Sequence, residues 1–195
     1  MSLQRSLRLV SLSLILIGLI GVLPISYFWV NNKIAVAQNS GTVPFQAAVL
    51  KPSPDLITGK PVELLIPSLK MDLKVIDGAY NAKTGGWTLT LDKAQFALPS
   101  VQPNNEGGNT LIYGHYRPEV FAYLHLIKSG AQAFIMTDNG YTFTYTYTNT
   151  KAYDPSDTSI FAYQGAPRLT IQTCSGTFMQ NRQMYYFNYD SYAKN

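Results

Sequence analysis

One sulfur, two imidazoles and a guanidinium carry the acyl-transfer chemistry this sequence could perform. Cys174 is the only cysteine among 195 residues and stands in "RLTIQTCSG" (168–176), the histidines are His115 and His125, and Arg182 follows eight residues after the sulfur. A thiol attacks as its thiolate, and an unperturbed cysteine with pKa of about 8.5 is mostly protonated at neutral pH. A nucleophilic Cys174 therefore calls for a histidine that can hold the ion pair and later protonate a leaving amine. The oxyanion of a tetrahedral intermediate calls for a donor as well. Against this stands the default for an unpaired cysteine, a small buried hydrophobe with no reactivity. An intermolecular bridge is the third choice.

Alternation along a strand decides which way the sulfur faces. In "LTIQTC", Leu169, Ile171 and Thr173 share one face, and Thr170, Gln172 and Cys174 share the other. If the leucine and isoleucine face the core, Cys174 faces away from it, and Ser175-Gly176 opens space beside it. The stretch "SGTFMQN" is short enough to be a turn, so "RLTIQTC" and "RQMYYFN" should be antiparallel neighbours with Cys174 and Arg182 side by side. Arg182 could instead be a solvated edge residue. In a chain with five arginines, two of them ahead of the apolar amino-terminal run, the functional role is the better use of it. His115 closes "LIYGH", at a strand end beside a glycine, where it can reach a cleft. His125 lies inside "FAYLHLI", where a packed or half-exposed side chain is expected and its removal should be silent in kinetics.

The elements that must position these groups read mostly as strands. "VELLIPSL" (62–69) is broken by Pro67, and "LKVIDG" (73–78) ends in an Asp-Gly turn signal. "GGWTLTL" (85–91) alternates, with Trp87, Leu89 and Leu91 on one side. "NTLIYGH" (109–115) is an apolar strand, and "EVFAYLHLIKSG" (119–130) is the one helix-like segment. In "AFIMTDNGYTFTYTYTNT" (133–150), Asn139-Gly140 suits a type I′ turn. Tyr141, Phe143, Tyr145 and Tyr147 then share one face, better read as barrel core than as a binding strip. A connection over about 151–167 leads to the strands bearing Cys174 and Arg182. Seven or eight short strands with a short helix indicate an all-β barrel or sandwich.

Composition agrees. Charged residues are only 13% and aromatics 13%, fourteen of them Tyr, which suits strands. The net charge is +4, half of it from Arg5 and Arg8, too weak and scattered for a nucleic-acid surface. Residues 9–30, "LVSLSLILIGLIGVLPISYFWV", are uncharged and can span the ~30 Å hydrocarbon core as a helix. Arg5 and Arg8 before it place residues 1–8 in the cytoplasm, and Tyr27 and Trp29 suit the far interface. "AVA" (35–37) ahead of Gln38 offers a signal-peptidase site instead, but the apolar run exceeds a typical signal core, which favours an anchor. Residues 31–60, with three prolines, read as an extracellular linker, and 61–195 as the exported domain.

Taken together, these residues resemble the sortase family. "LTIQTC" is similar to that family's TLxTC signature, with Leu169 one step out of the usual register. "IYGH" matches its catalytic histidine, here 59 residues before the cysteine. Arg182 matches its arginine on the following strand, and "VELLIPSLKMDLKV" (62–75) resembles its opening strands. The resemblance spans roughly 61–190. It implies a closed sortase-like β-barrel of seven to eight strands with one or two short helices, behind an N-terminal transmembrane helix. It also implies a cysteine transpeptidase of bacterial surfaces. Cys174 would attack the Thr carbonyl of an LPxTG-like sorting signal, His115 would protonate the leaving fragment, and Arg182 would steady the oxyanion or the peptide. The thioester would be resolved by an amine from a cell-wall precursor or a pilin lysine. The loop 151–167 would wall the peptide groove and Thr173 would contribute to it. Two features depart from the family: Tyr116 follows Gly-His, where a small or polar residue is common, and "TCSGTFMQNR" fits none of the common subclass patterns. Some members bind Ca²⁺ through clustered acids, but Asp138, Asp154 and Asp157 are dispersed, so no metal and no cofactor is expected.

A non-catalytic exported β-domain for surface binding or adhesion is the main alternative, and it would have no need of the cysteine with its two companions. A peptidoglycan L,D-transpeptidase carries His and Gly just before its cysteine, which "QTCSG" lacks. A simple cysteine protease shares the first half-reaction and differs only in what resolves the thioester.

Overall fold

A computed structural model of the chain describes residues 55–84, 86–176 and 180–195. The expected membrane span 9–30, the segment 1–8 and most of the linker 31–60 lie outside the described residues. Among the described residues no helix is long and apolar enough to cross a membrane.

Ten strands form: β1 (Pro61–Ile66), β2 (Met71–Gly78), β3 (Tyr80–Asn81), β4 (Gly86–Trp87), β5 (Ala94–Ala97), β6 (Asn109–Tyr113), β7 (Gln132–Thr137), β8 (Tyr141–Tyr153), β9 (Arg168–Ser175) and β10 (Asn181–Lys194). Eight close a barrel in the order β1-β2-β5-β6-β9-β10-β8-β7, with β7 pairing back onto β1, while β3 and β4 form a separate small hairpin. Closure leaves no open edge for other chains to pair with. The contacts β2–β5 and β6–β9 are parallel and the remaining ladders antiparallel. The all-β barrel expected from the resemblance is the fold observed.

The sequence reasons for these elements are local. Pro67 has no N–H to donate, so β1 stops there and a 3-10 turn (Pro67–Leu69) follows, with Lys70 at φ 51 donating its N–H to the Pro67 carbonyl. The aromatic row of β8 goes inward as expected: Phe143, Tyr145 and Tyr147 are buried against Leu64, Ile135, Leu169 and Phe187. The turn before it is not type I′. Gly140 takes φ +83 while Asn139 does not take a positive φ, and the Gly140 N–H bonds to the Thr137 carbonyl at 3.1 Å. That is a three-residue loop with glycine in the left-handed position.

Two elements differ from the reading. The alternating stretch yields only the two-residue β4, and Leu89 and Leu91 are exposed beyond the last backbone bond of that hairpin, Thr88 N–H to the Ala79 carbonyl. The strand inserted between β2 and β6 is instead β5, "AQFA", whose four residues are all buried and so show no period of two. The helix expected over 119–130 is a five-residue 3-10 segment, Ala122–Leu126. Residues 57–60 lie along the barrel: Thr58 bridges to Asn104, Gly59 donates to the Pro103 carbonyl, and the Lys60 ammonium lies 2.8 Å from Asp77.

Candidate active site

The site is built on the junction β6–β9–β10. β6 and β9 pair in parallel at a constant offset: Asn109 faces Arg168, and Tyr113 faces Gln172. That offset is 59 residues, the same as the separation of His115 and Cys174. The two chains stay together past the end of β6. The Gly114 N–H donates to the Gln172 carbonyl at 3.1 Å, and the Thr173 hydroxyl donates to the Gly114 carbonyl at 3.0 Å. His115 follows Gly114 directly, two residues beyond the end of β6, where the chain turns. On the other side, β9 pairs antiparallel with β10 so that Cys174 faces Arg182 directly, and Arg182 in turn faces Tyr153 of β8. Adjacent strands lie about 4.8 Å apart, so Cys174 and Arg182 form a row across two strands, with His115 on the turn that follows the third.

Facing follows the pleat. Leu169, Ile171 and Thr173 are buried, whereas Cys174 is partly exposed, on the outer side of the barrel wall, and His115 and Arg182 are partly exposed as well. The outer side is not bare. Leu111, Tyr113 and Ala97 pack there with Ile160 and Phe161 of the 3-10 segment Ser159–Ala162, and Trp87 stacks on Phe161 with ring centroids 6.0 Å apart. The connection 154–167 thus forms a wall over β6, β9 and β10. Beneath it a cavity of about 480 Å³ opens among Arg168, Met184, Tyr186 and Tyr163. The Arg168 guanidinium stacks on the Tyr163 ring at 3.6 Å and faces Tyr186 at 4.9 Å.

Thr173 is almost fully buried, so the structure places it beneath the row, tying the end of β9 to Gly114, and not on the groove surface. Gly114 has a packing reason to be glycine. A Cβ there would lie 2.7 Å from Val120 Cγ1 and 2.9 Å from the Phe121 ring. The His115 carbonyl then accepts the N–H groups of Arg117 and Phe121, which turns the chain immediately after the imidazole.

Charge near Arg182 comes from the start of the wall. The Asp154 carboxyl is held below the usual carboxylate range by the hydroxyl and N–H of Ser156, with the Arg182 guanidinium adding to the effect. Among the described residues no group of three His, Cys, Asp or Glu is arranged to hold a metal.

A second cavity borders the sulfur, which the first does not reach. It holds about 400 Å³ and is lined by Cys174 and Gly176 together with Tyr116, His125, Tyr147 and Tyr185. His125 is exposed, and its Nδ1 donates to the Ala122 carbonyl at 2.6 Å. The sequence reading kept His125 away from the chemistry, yet it shares a cavity with Cys174. The apolar stripe Phe121, Leu124 and Ile127 hinted at this, because it packs inward and leaves His125 beside it to face out at the rim.

A family model for the sortase domain matches residues 64–193. The chain belongs to the sortase family. The activity that goes with membership is transpeptidation. No match was found among curated proteins. Among solved structures, the sortase resembles sortase A of Listeria monocytogenes at TM-score 0.56 and 23% identity, covering 69% of this chain and 90% of that one. Sortase E1 of Streptomyces coelicolor, solved with a tripeptide in its active site, aligns at TM-score 0.57 and 19% identity over 70% and 91% of the two chains. Sortase A of Corynebacterium diphtheriae aligns at 0.57 and 19% over 69% and 62%. At these identities the likeness is one of fold, shared by enzymes of classes A, C and E alike.

Proposed function

We propose that this sortase cleaves an LPxTG-like sorting signal through a thioester on Cys174 and passes the acylated fragment to an amine. The reaction runs in two halves. The Cys174 thiolate, paired with the His115 imidazolium, attacks the carbonyl before the scissile bond. Arg182, facing the sulfur on the adjacent strand, donates to the oxyanion, and His115 protonates the departing amine. An amine from a cell-wall precursor or a pilin lysine then resolves the thioester. The outer face at Cys174 and Gln172, beside the connection 154–167, suits an extended peptide, in line with the tripeptide held by the Streptomyces enzyme. Residues 9–30 would anchor the enzyme with its barrel outside the cell.

The pairing of Cys174 with Arg182, with His115 two residues beyond the end of the strand on the other side of β9, is the observation that carries this reading. A non-catalytic surface domain would not require that row. The test uses the full chain and a library of LPxTG-type peptides, with mass spectrometry for an adduct on Cys174 and then for transfer to added amines. Cys174→Ala should abolish cleavage while circular dichroism reports an unchanged barrel. Turnover by that variant would remove Cys174 as the nucleophile.

A further inference from the structure

We infer that His125 is the base that deprotonates the incoming amine in the second half-reaction, and that the cavity it shares with Cys174 is the entry for that amine. The inference rests on the cysteine mechanism proposed above. The acyl part of the signal stays attached to Cys174 in the thioester and keeps the outer groove occupied. The acceptor must then reach the sulfur another way, and the cavity lined by Cys174 and Gly176 shares no lining residue with the one under the 154–167 connection. Its volume of about 400 Å³ suits a primary amine on a lysine side chain or a short peptide.

The tautomer of His125 follows from its partner. A carbonyl oxygen only accepts, so the nitrogen 2.6 Å from the Ala122 carbonyl carries the hydrogen. In the neutral ring Nε2 therefore keeps its lone pair, and the ring lines the cavity. The other titratable walls are the phenols of Tyr116, Tyr147 and Tyr185. Burial pushes the Tyr185 hydroxyl up to about 12, so it carries no charge near neutrality. Among the described residues no carboxylate lines the cavity. An entering ammonium thus meets no anion to hold it protonated and one imidazole able to take its proton.

The step balances. The first ammonium proton passes to His125 Nε2. The freed lone pair attacks the thioester carbonyl, the C–N bond forms, the C–S bond breaks, and its electron pair returns to Cys174. The second proton on nitrogen goes to His115, which lost its own to the first leaving group, and this restores the imidazolium–thiolate pair. His125 releases its proton to water.

The experiment uses the full chain, an LPxTG-type peptide, and lysine amide or hydroxylamine as acceptor. His125→Gln should form the Cys174 adduct at the unmodified rate, while its ratio of lysine-amide product to hydrolysis product falls by about 10²-fold, the scale of a lost general base. Transfer to hydroxylamine, whose nitrogen is already unprotonated at neutral pH, should be unchanged. An unaltered lysine-amide ratio would overturn the inference. So would an equal fall with both acceptors, which would mean that His125 only shapes the cavity, or slowed adduct formation, which would assign it to the first half. Absence of any Cys174 adduct in the unmodified chain would instead bring down the cysteine mechanism, and this inference with it.

Discussion

The parallel pairing of β6 with β9 runs at an offset equal to the spacing of His115 and Cys174, and Arg182 faces Cys174 because β10 folds straight back on β9. Cys174 and Arg182 therefore come from paired strands and His115 from the turn after a third, and a slip of register would displace them. His115→Ala should slow Cys174 adduct formation by 10²–10⁴-fold in a single-turnover assay, since ion pair and proton donor are lost at once. Arg182→Lys keeps the charge but loses the planar fork of donors, so most of the loss seen in Arg182→Ala should remain. Full activity in Arg182→Lys would reduce its role to charge alone. The pairing of Cys174 with Arg182 was legible in the sequence, because a short turn and alternation are local signals. The His115–Cys174 approach was not, apart from the family resemblance, because nothing local announces that two strands so far apart pair in parallel. That His125 borders a cavity with Cys174 was hidden for a related reason: a stripe of apolar residues tells which side packs, not which cavity the other side borders.

At the scale of elements, the turn after β6 is what presents the imidazole. Val120 and Phe121 are buried against Gly114, leaving no room for a side chain there. Gly114→Ala should lower stability by about 1–3 kcal/mol through overpacking and also slow adduct formation at temperatures where the barrel is intact, because the displaced residues carry His115. Gly140→Ala is the control. It sits at φ +83 with nothing within 4 Å of the point a Cβ would occupy, so it should cost about 1 kcal/mol of backbone strain and leave the adduct rate untouched. Thermal melts with the single-turnover assay separate the two. If Gly114→Ala lost stability but kept the full rate, the turn would be a packing device only. Glycine beside histidine could be seen in the sequence, but its reason could not, since Val120 and Phe121 fold back on it through tertiary contact. The same limit explains β5: "AQFA" is buried on both faces and carries no alternation, while "WTLTL" alternates well but has no partner strand past Trp87.

The whole barrel is closed by strands rich in tyrosine, and this gives the molecule an alkaline pH limit. Tyr145 is fully enclosed, the Tyr113 hydroxyl donates to the Thr88 carbonyl at 2.8 Å, and the Tyr186 hydroxyl donates to that of Tyr153 at 2.9 Å. Burial raises the ionisation of Tyr113, Tyr145 and Tyr186 above the ordinary value of 10.0, and carries Tyr185 to about 12. Each phenol therefore holds its proton more tightly folded than unfolded. Below the unfolded value both states are protonated and the contribution to stability is intact. Above it the unfolded chain ionises first, and stability falls with rising pH until the folded values are passed. Denaturant midpoints should thus be level from neutrality to about pH 9 and drop beyond about pH 10. Tyr145→Phe removes the most enclosed of these hydroxyls, so its midpoint should fall less steeply over the alkaline range, whatever it does to stability at neutrality. Equal alkaline slopes for the variant and the unmodified chain would show that Tyr145 does not govern the limit, and a midpoint still level at about pH 11 would show that the buried phenols do not set one.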